Sequence, residues 1–140
     1  MSAARAAVDR LGSRFRQADV DAVLAEFAPT GEVVYAGSEH GEVAVGRAAL
    51  RALLVGLLDR EERYSWRAGE VHEVVTEDSI HLVAEAELTV HVPDEATGWR
   101  PEQRVPYRLS GVLERVPGPG PTVWRWRLCQ GSEPVPASQD

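Results

Sequence analysis

The chain has 140 residues, 44% of them hydrophobic and 26% charged, with a net charge of −7. This is the length and make-up of one globular domain. The acidic balance argues against the basic stripe that nucleic acid or an anionic membrane surface would require, so neither is expected as a partner. All fifteen basic residues are arginine, which leaves no lysine for a Schiff base or a pyridoxal anchor. Cys129 is the single cysteine, which rules out an internal disulfide and a cysteine-rich zinc site. His40, His72, His81 and His91 lack zinc-helix spacing, and no metal or cofactor is expected. With no apolar run of membrane length and no apolar signal core, a cytoplasmic protein is expected. The Ala/Arg/Val/Gly bias points to a bacterial source.

Ala4, Val8, Leu11 and Phe15 recur at helical spacing and predict a first amphipathic helix. Asp19 is placed to cap a short second helix that buries Val20, Val23, Leu24 and Phe27, with Pro29 beyond its end. A short strand, EVVYAG, then leads into the polar loop SEHGEVAVG. The segment GRAALRALLVGLLDREE predicts a third helix, with Leu50, Leu53, Leu54, Leu57 and Leu58 on one face.

After Arg63 the periodicity changes to that of strands. YSWRAGEVHEVVTE reads as extended, with a bulge or bend at Gly69. In SIHLVAEAELTVHV, Ile80, Leu82, Ala84, Ala86, Leu88 and Val90 share one face, and His81, Val83, Glu85, Glu87, Thr89 and His91 the other. PDEATGWRPEQ reads as a long loop. RVPYRLSGVLERV is a strand burying Val105, Tyr107, Leu109, Gly111 and Leu113. PGPGP forces a turn, and the last strand places Trp124, Trp126 and Leu128 inward, with Arg125, Arg127 and Cys129 on the reverse face. A single domain over residues 1–134 is expected, with 135–140 a disordered tail.

Helices followed by hairpin-linked strands define an α+β domain with an antiparallel sheet. The segments ADVDAVLAEFAPTGEVVY, GRAALRALLVGLL and VLERVPGPGPTVWRWRLCQGS resemble the nuclear-transport-factor-like superfamily, its SnoaL-like branch in particular. The resemblance implies a cystatin-like cone, a curved antiparallel sheet wrapped around N-terminal helices with an apolar pocket open at one end. It also implies a homodimer through the outer sheet face. Its members include isomerases, dehydratases, epoxide hydrolases, cyclases and non-enzymatic dimerising domains, so the fold alone does not give the function. Where the branch often closes on a His, this chain has Gln130, which cannot shuttle a proton near neutral pH.

Strand alternation puts Tyr107, Trp124, Trp126 and Gln130 on the helix-facing side, with Tyr35 beside them, as candidate ligand-binding residues. For the two tryptophans, plain core packing is the alternative. His81, Glu85, Glu87 and His91 fall on the outer face; a pairing of Glu87 with Arg108 would set His81 against Glu114 as a second cross-strand pair. The catalytic candidates are His72, if the Gly69 bulge turns it inward together with Glu70, and Glu39 and His40 in the loop near the pocket mouth. Trp99 would tuck onto its own domain, with a cap on the pocket or a dimer contact as the alternatives, and Arg47 would be solvated. These placements favour a protein binding a small apolar molecule in the cone. The alternatives are an isomerase, cyclase or hydratase acting on a polycyclic or polyketide-like substrate, and a dimeric scaffold whose pocket its own side chains fill.

Overall fold

The computed structural model describes residues 2–136. Its first helix, α1, spans Ala3–Gln17, where the Ser2 hydroxyl accepts the Arg5 N–H and Ala18 ends the helix in a left-handed conformation. Its apolar stripe of Ala4, Ala7, Val8, Leu11 and Phe15 is buried, as the spacing predicts. The second helix, α2, spans Val20–Leu24 under an Asp19 cap. It stops before Phe27, which is buried instead beside Trp126 through an isolated parallel bridge. Helix α3, Arg47–Leu58, buries Leu50, Leu54 and Leu57, with Leu53 and Leu58 half-buried against the same core. Arg47 is not simply solvated, since its guanidinium donates to the carbonyl of Ala28 at 2.8 Å.

Six strands follow the order β2-β1-β6-β5-β4-β3. They are β1 Val34–Ala36, β2 Val43–Val45, β3 Arg63–Val75, β4 Ser79–Asp94, β5 Gly98–Val116 and β6 Val123–Ser132. The sheet is curved and unclosed, with the helices on its inner face and the core between them. It is mixed, which corrects the expected all-antiparallel sheet: β1 runs parallel to β6. The reason is local. Residues 26–28 already exchange backbone hydrogen bonds with Trp126, so the chain leaving α2 is laid along β6 in the same direction.

Two segments read as loops are hairpins. EVAVG contains β2, paired with β1, and the predicted loop PDEATGWRPEQ is the tip of the β4–β5 hairpin, turning over Glu95–Thr97. Trp99 therefore lies in β5, with the Arg63 guanidinium 4.2 Å over its ring.

Three register shifts bend the sheet, and each changes which side chains face inward. The first falls between Ala68 and Val71, where Gly69 predicts it. The second falls at Val90/His91 and the third at Val112/Leu113. At the third, Arg127 is the extra residue of β6, between Trp126 opposite Leu113 and Leu128 opposite Val112. Beyond it the predicted facing inverts, so Leu128 is 38% exposed and Cys129 is fully buried. Arg127 braces this bulge from its side chain, donating to Glu114 and to the carbonyls of Thr30 and Glu32. On the outer face it is Glu85, not Glu87, that lies opposite Arg108, and their charged groups meet at 2.9 Å. His81 consequently lies opposite Val112 rather than Glu114. His91 is buried, with Nε2 2.9 Å from the Ser65 hydroxyl.

No helix among the described residues is long and apolar enough to cross a membrane. Residues 133–136 carry no regular structure, and 137–140 of the expected tail lie outside the described residues.

Candidate functional site

The aromatic side chains of α1, β1, β3 and β5 meet under the open end of the sheet. Phe15 packs on Trp66 at 4.8 Å between ring centroids, and Trp66 stacks on Tyr107 at 5.8 Å. Tyr35 lies 6.2 Å from Phe15 on the other side. Trp66 is pinned, because its indole N–H donates to the Val8 carbonyl at 2.9 Å across the α1–β3 contact. With Leu57 and Leu88 these rings enclose a cavity of about 60 Å³, and Tyr64 lines its mouth. Tyr107 reaches this position only because residue 131 is a glycine; a Cβ there would sit 2.0 Å from the phenol oxygen.

The polar rim comes from the β1–β2 hairpin and the end of α3. A tight turn joins Glu39 to Glu42, whose N–H donates to the Glu39 carbonyl at 3.2 Å, with Gly41 at φ +85° in the position that turn requires. The turn brings two carboxyl groups together at the cavity mouth. The Glu42 side chain lies over Gly37, where any Cβ would collide with its carboxylate. Arg60, just past α3, lies 3.3 Å from Glu39 and 3.8 Å from Glu42. Ser38 and Glu133 complete the rim. A wider groove of about 740 Å³ shares Glu39, Arg60 and Tyr64 with the cavity and continues past Glu61, Glu62, Val92, Pro93 and Glu102.

The two carboxyls are driven apart electrostatically. Burial, followed by the hydrogen bond and charge of Glu39, pushes Glu42 above the usual carboxylate range, with Arg60 opposing. Glu39 is held below that range by the hydrogen bond from Glu42 and by Arg60. The two groups interact directly, so they titrate as a pair, and Glu42 is the one that holds its proton to higher pH. Burial raises both phenols, Tyr35 and Tyr107, so each keeps its proton at any ordinary pH. The site therefore offers a carboxyl with a raised pKa, a carboxylate with a lowered one beside it, and two neutral hydroxyls over an aromatic floor.

Three of the residues singled out from the sequence meet here: Tyr35, Tyr107 and Glu39 all line the cavity. Others do not. Trp126 is fully buried in the core and Trp124 is half-buried, lining a separate surface hollow with Arg10 and Arg125. Gln130 is on the outer face because the Arg127 bulge reverses the strand. The Gly69 bulge leaves Glu70 and His72 outward, 3.5 Å from each other, with the His72 side chain 64% exposed. His40 occupies the exposed tip of the turn, so only its neighbours reach the cavity. Glu42 and Arg60 went unnoticed. The short alternation VVYA and VAV around His-Gly marks a hairpin, and Glu39 and Glu42 flank its turn.

A family model described as a SnoaL-like domain matches residues 4–138. The chain belongs to the SnoaL-like domain family. Its fold is shared with solved structures of low sequence identity. One is a provisionally assigned dehydratase of the NTF2-like family from Streptomyces avermitilis, 16% identical, with a TM-score of 0.74 over 94% of each chain. Another is a ketosteroid isomerase-like protein from Erwinia carotovora atroseptica, 20% identical over 94% of this chain and 93% of that one, with a TM-score of 0.65. A third is an NTF2-like protein with a cystatin-like fold from Novosphingobium aromaticivorans, 21% identical over 93% of this chain and 79% of that one, with a TM-score of 0.59. At these identities the likeness is one of fold. No curated protein matches the sequence.

Proposed function

We propose that this SnoaL-like protein binds a small molecule in the cone cavity and carries out proton transfer on it, with Glu42 as general acid and base and Glu39 as the carboxylate that exchanges its proton with solvent. The observation that carries this reading is the buried Glu42 carboxyl, paired with Glu39 at the mouth of a cavity walled by two neutral phenols. Catalytic acids are often poised by such an environment. Tyr35 and Tyr107 would hydrogen-bond the ligand. The size of the cavity narrows the substrate. About 60 Å³ is far below the roughly 300–1,000 Å³ of sites that enclose a drug-sized ligand. A compact head group fits it, and only a fragment of a polycyclic or polyketide-like molecule would.

The test is a panel of small ketones in deuterated buffer, followed by NMR for exchange next to the carbonyl. The protein is expected to accelerate exchange of at least one member, Glu42→Gln to abolish the acceleration, and Tyr107→Phe to weaken it. Equal exchange by the Glu42→Gln variant would sink the assignment of Glu42. Exchange no faster than in buffer across the panel would sink the proton-transfer reading.

The outer face favours a second role beside the first. Val74, Val83 and Leu128 form an exposed apolar patch there with Val112, flanked by the Glu85–Arg108 ion pair. Exposed apolar patches of this kind mark interaction sites, and pairing of two copies through this one is part of the proposal.

A further inference from the structure

Resting on the reading that the cavity admits a small molecule, we propose that this molecule is a cation: an amine, protonated or quaternary, whose ammonium group seats against the aromatic wall beneath the Glu39–Glu42 pair. Five of the chain's nine aromatic residues line the cavity, all three tyrosines among them. Their ring faces carry the negative end of a quadrupole and attract a positive charge held over them, more strongly where water is excluded. Tyr35 and Tyr107 are only 4% and 5% exposed, so the wall they form is a dry one.

The charge around the opening has the same sense. Glu39, Glu42 and Glu133 border the cavity, and Glu61, Glu62 and Glu102 follow along the groove. Among the described residues the one basic side chain lining either is Arg60, and its guanidinium is already held by Glu39. Acidic residues by themselves select nothing on a protein of net charge −7, where solvated carboxylates are the ordinary surface. Here they surround the mouth of an aromatic-walled cavity with buried hydroxyls on its wall, and this conjunction distinguishes among ligand classes. An anion would face six acidic side chains and an arginine that is engaged. A neutral apolar molecule would gain the ring contacts but nothing from the acidic rim. A cation satisfies both, and the phenol oxygens can accept from an N–H where the amine carries one.

The test uses the full chain and three probes of nearly one shape: choline, its neutral carbon isostere 3,3-dimethylbutan-1-ol, and the anion 3,3-dimethylbutanoate, titrated calorimetrically at low salt. Choline is expected to bind about tenfold or more tighter than the isostere, with no binding of the anion. Raising the salt, or making the Glu62→Gln/Glu102→Gln double substitution in the groove, should narrow the gap by weakening choline and leaving the isostere unchanged. Equal or tighter binding of the isostere, or binding of the anion as strong as that of choline, overturns the cationic assignment and leaves the cavity as a binding site. No binding of any probe, while the ketone panel still exchanges, overturns it too, with the proton-transfer reading intact. Failure in both experiments removes the two together.

Discussion

Glu42 is where one residue's environment bears on both stability and the proposed proton transfer. Burial and the neighbouring Glu39 favour its neutral form in the folded state. That contribution is complete below the ordinary carboxylate range and is lost as pH rises through the raised pKa. Glu39 behaves oppositely, because its lowered pKa contributes stability above the ordinary range, lost as pH falls through the lowered value. Glutamine is a neutral isostere of the protonated Glu42 carboxyl. Glu42→Gln is therefore expected to be more stable than the native protein near neutral pH, by about 1 kcal/mol or a few degrees in Tm, with the difference vanishing in acid. Thermal denaturation across the acid-to-neutral range reads this directly, and a Glu42→Gln variant that melts lower near neutrality contradicts it. A gain in stability with a loss of proton transfer would be the signature of a group kept buried for its chemistry.

At the scale of elements, the close approach of α1 to β3 shapes the cavity. Gly12 lies so near β3 that a Cβ would stand 2.3 Å from the Trp66 carbonyl oxygen and 2.9 Å from its nitrogen. Backbone cannot swing aside as a side chain can, so Gly12→Ala is expected to prise the helix from the strand and cost about 2–3 kcal/mol in urea denaturation. The same shift would loosen the Trp66–Val8 hydrogen bond and disturb the cavity floor. Gly56 provides the contrast. It lies in α3 with open space around it, and Gly56→Ala should stabilise by about 0.5–1 kcal/mol through helix propensity alone. Opposite signs for two Gly→Ala changes within helices separate packing from propensity; the same sign for both would mean that the α1–β3 contact is looser than described.

For the whole molecule, the two faces of the sheet differ in what covers them. The inner face is filled by helices except at the cavity, and the outer face presents Val83 at 41% exposure among other apolar side chains. Pairing of two copies through that face would leave both cavities accessible, since no outer-face residue of the patch lines the cavity. Sedimentation velocity is expected to show a concentration-dependent dimer that Val83→Asp converts to monomer, with the exchange activity of each chain retained. A native protein that stays monomeric at high concentration removes the outer-face pairing; a dimer indifferent to Val83→Asp places its interface elsewhere.

Much of this fold is legible in local periodicity. The three helices, the four long strands, the Gly69 bulge and the aromatic character of the inner face all follow from spacing that a single element must satisfy on its own. The phenols of Tyr35 and Tyr107 belong to that class, because their strands run in register up to the points that concern them. Beyond Trp126 the sequence pattern fails. Alternation is a count of residues, and one bulge at Arg127, braced by Glu114 and by carbonyls almost a hundred residues away, shifts the count by one and turns Gln130 outward. The carboxyl pair was hidden differently. Glu39 is legible as a candidate acid in the loop and Glu42 is not, and only the hairpin turn, the end of α3 and the buried aromatic floor, drawn from separate parts of the chain, bring the two together in unequal surroundings. Composition and periodicity determined which elements form and which faces they bury. Tertiary structure decided which polar groups meet in a dry place, because desolvation and charge coupling depend on distances that no local pattern encodes.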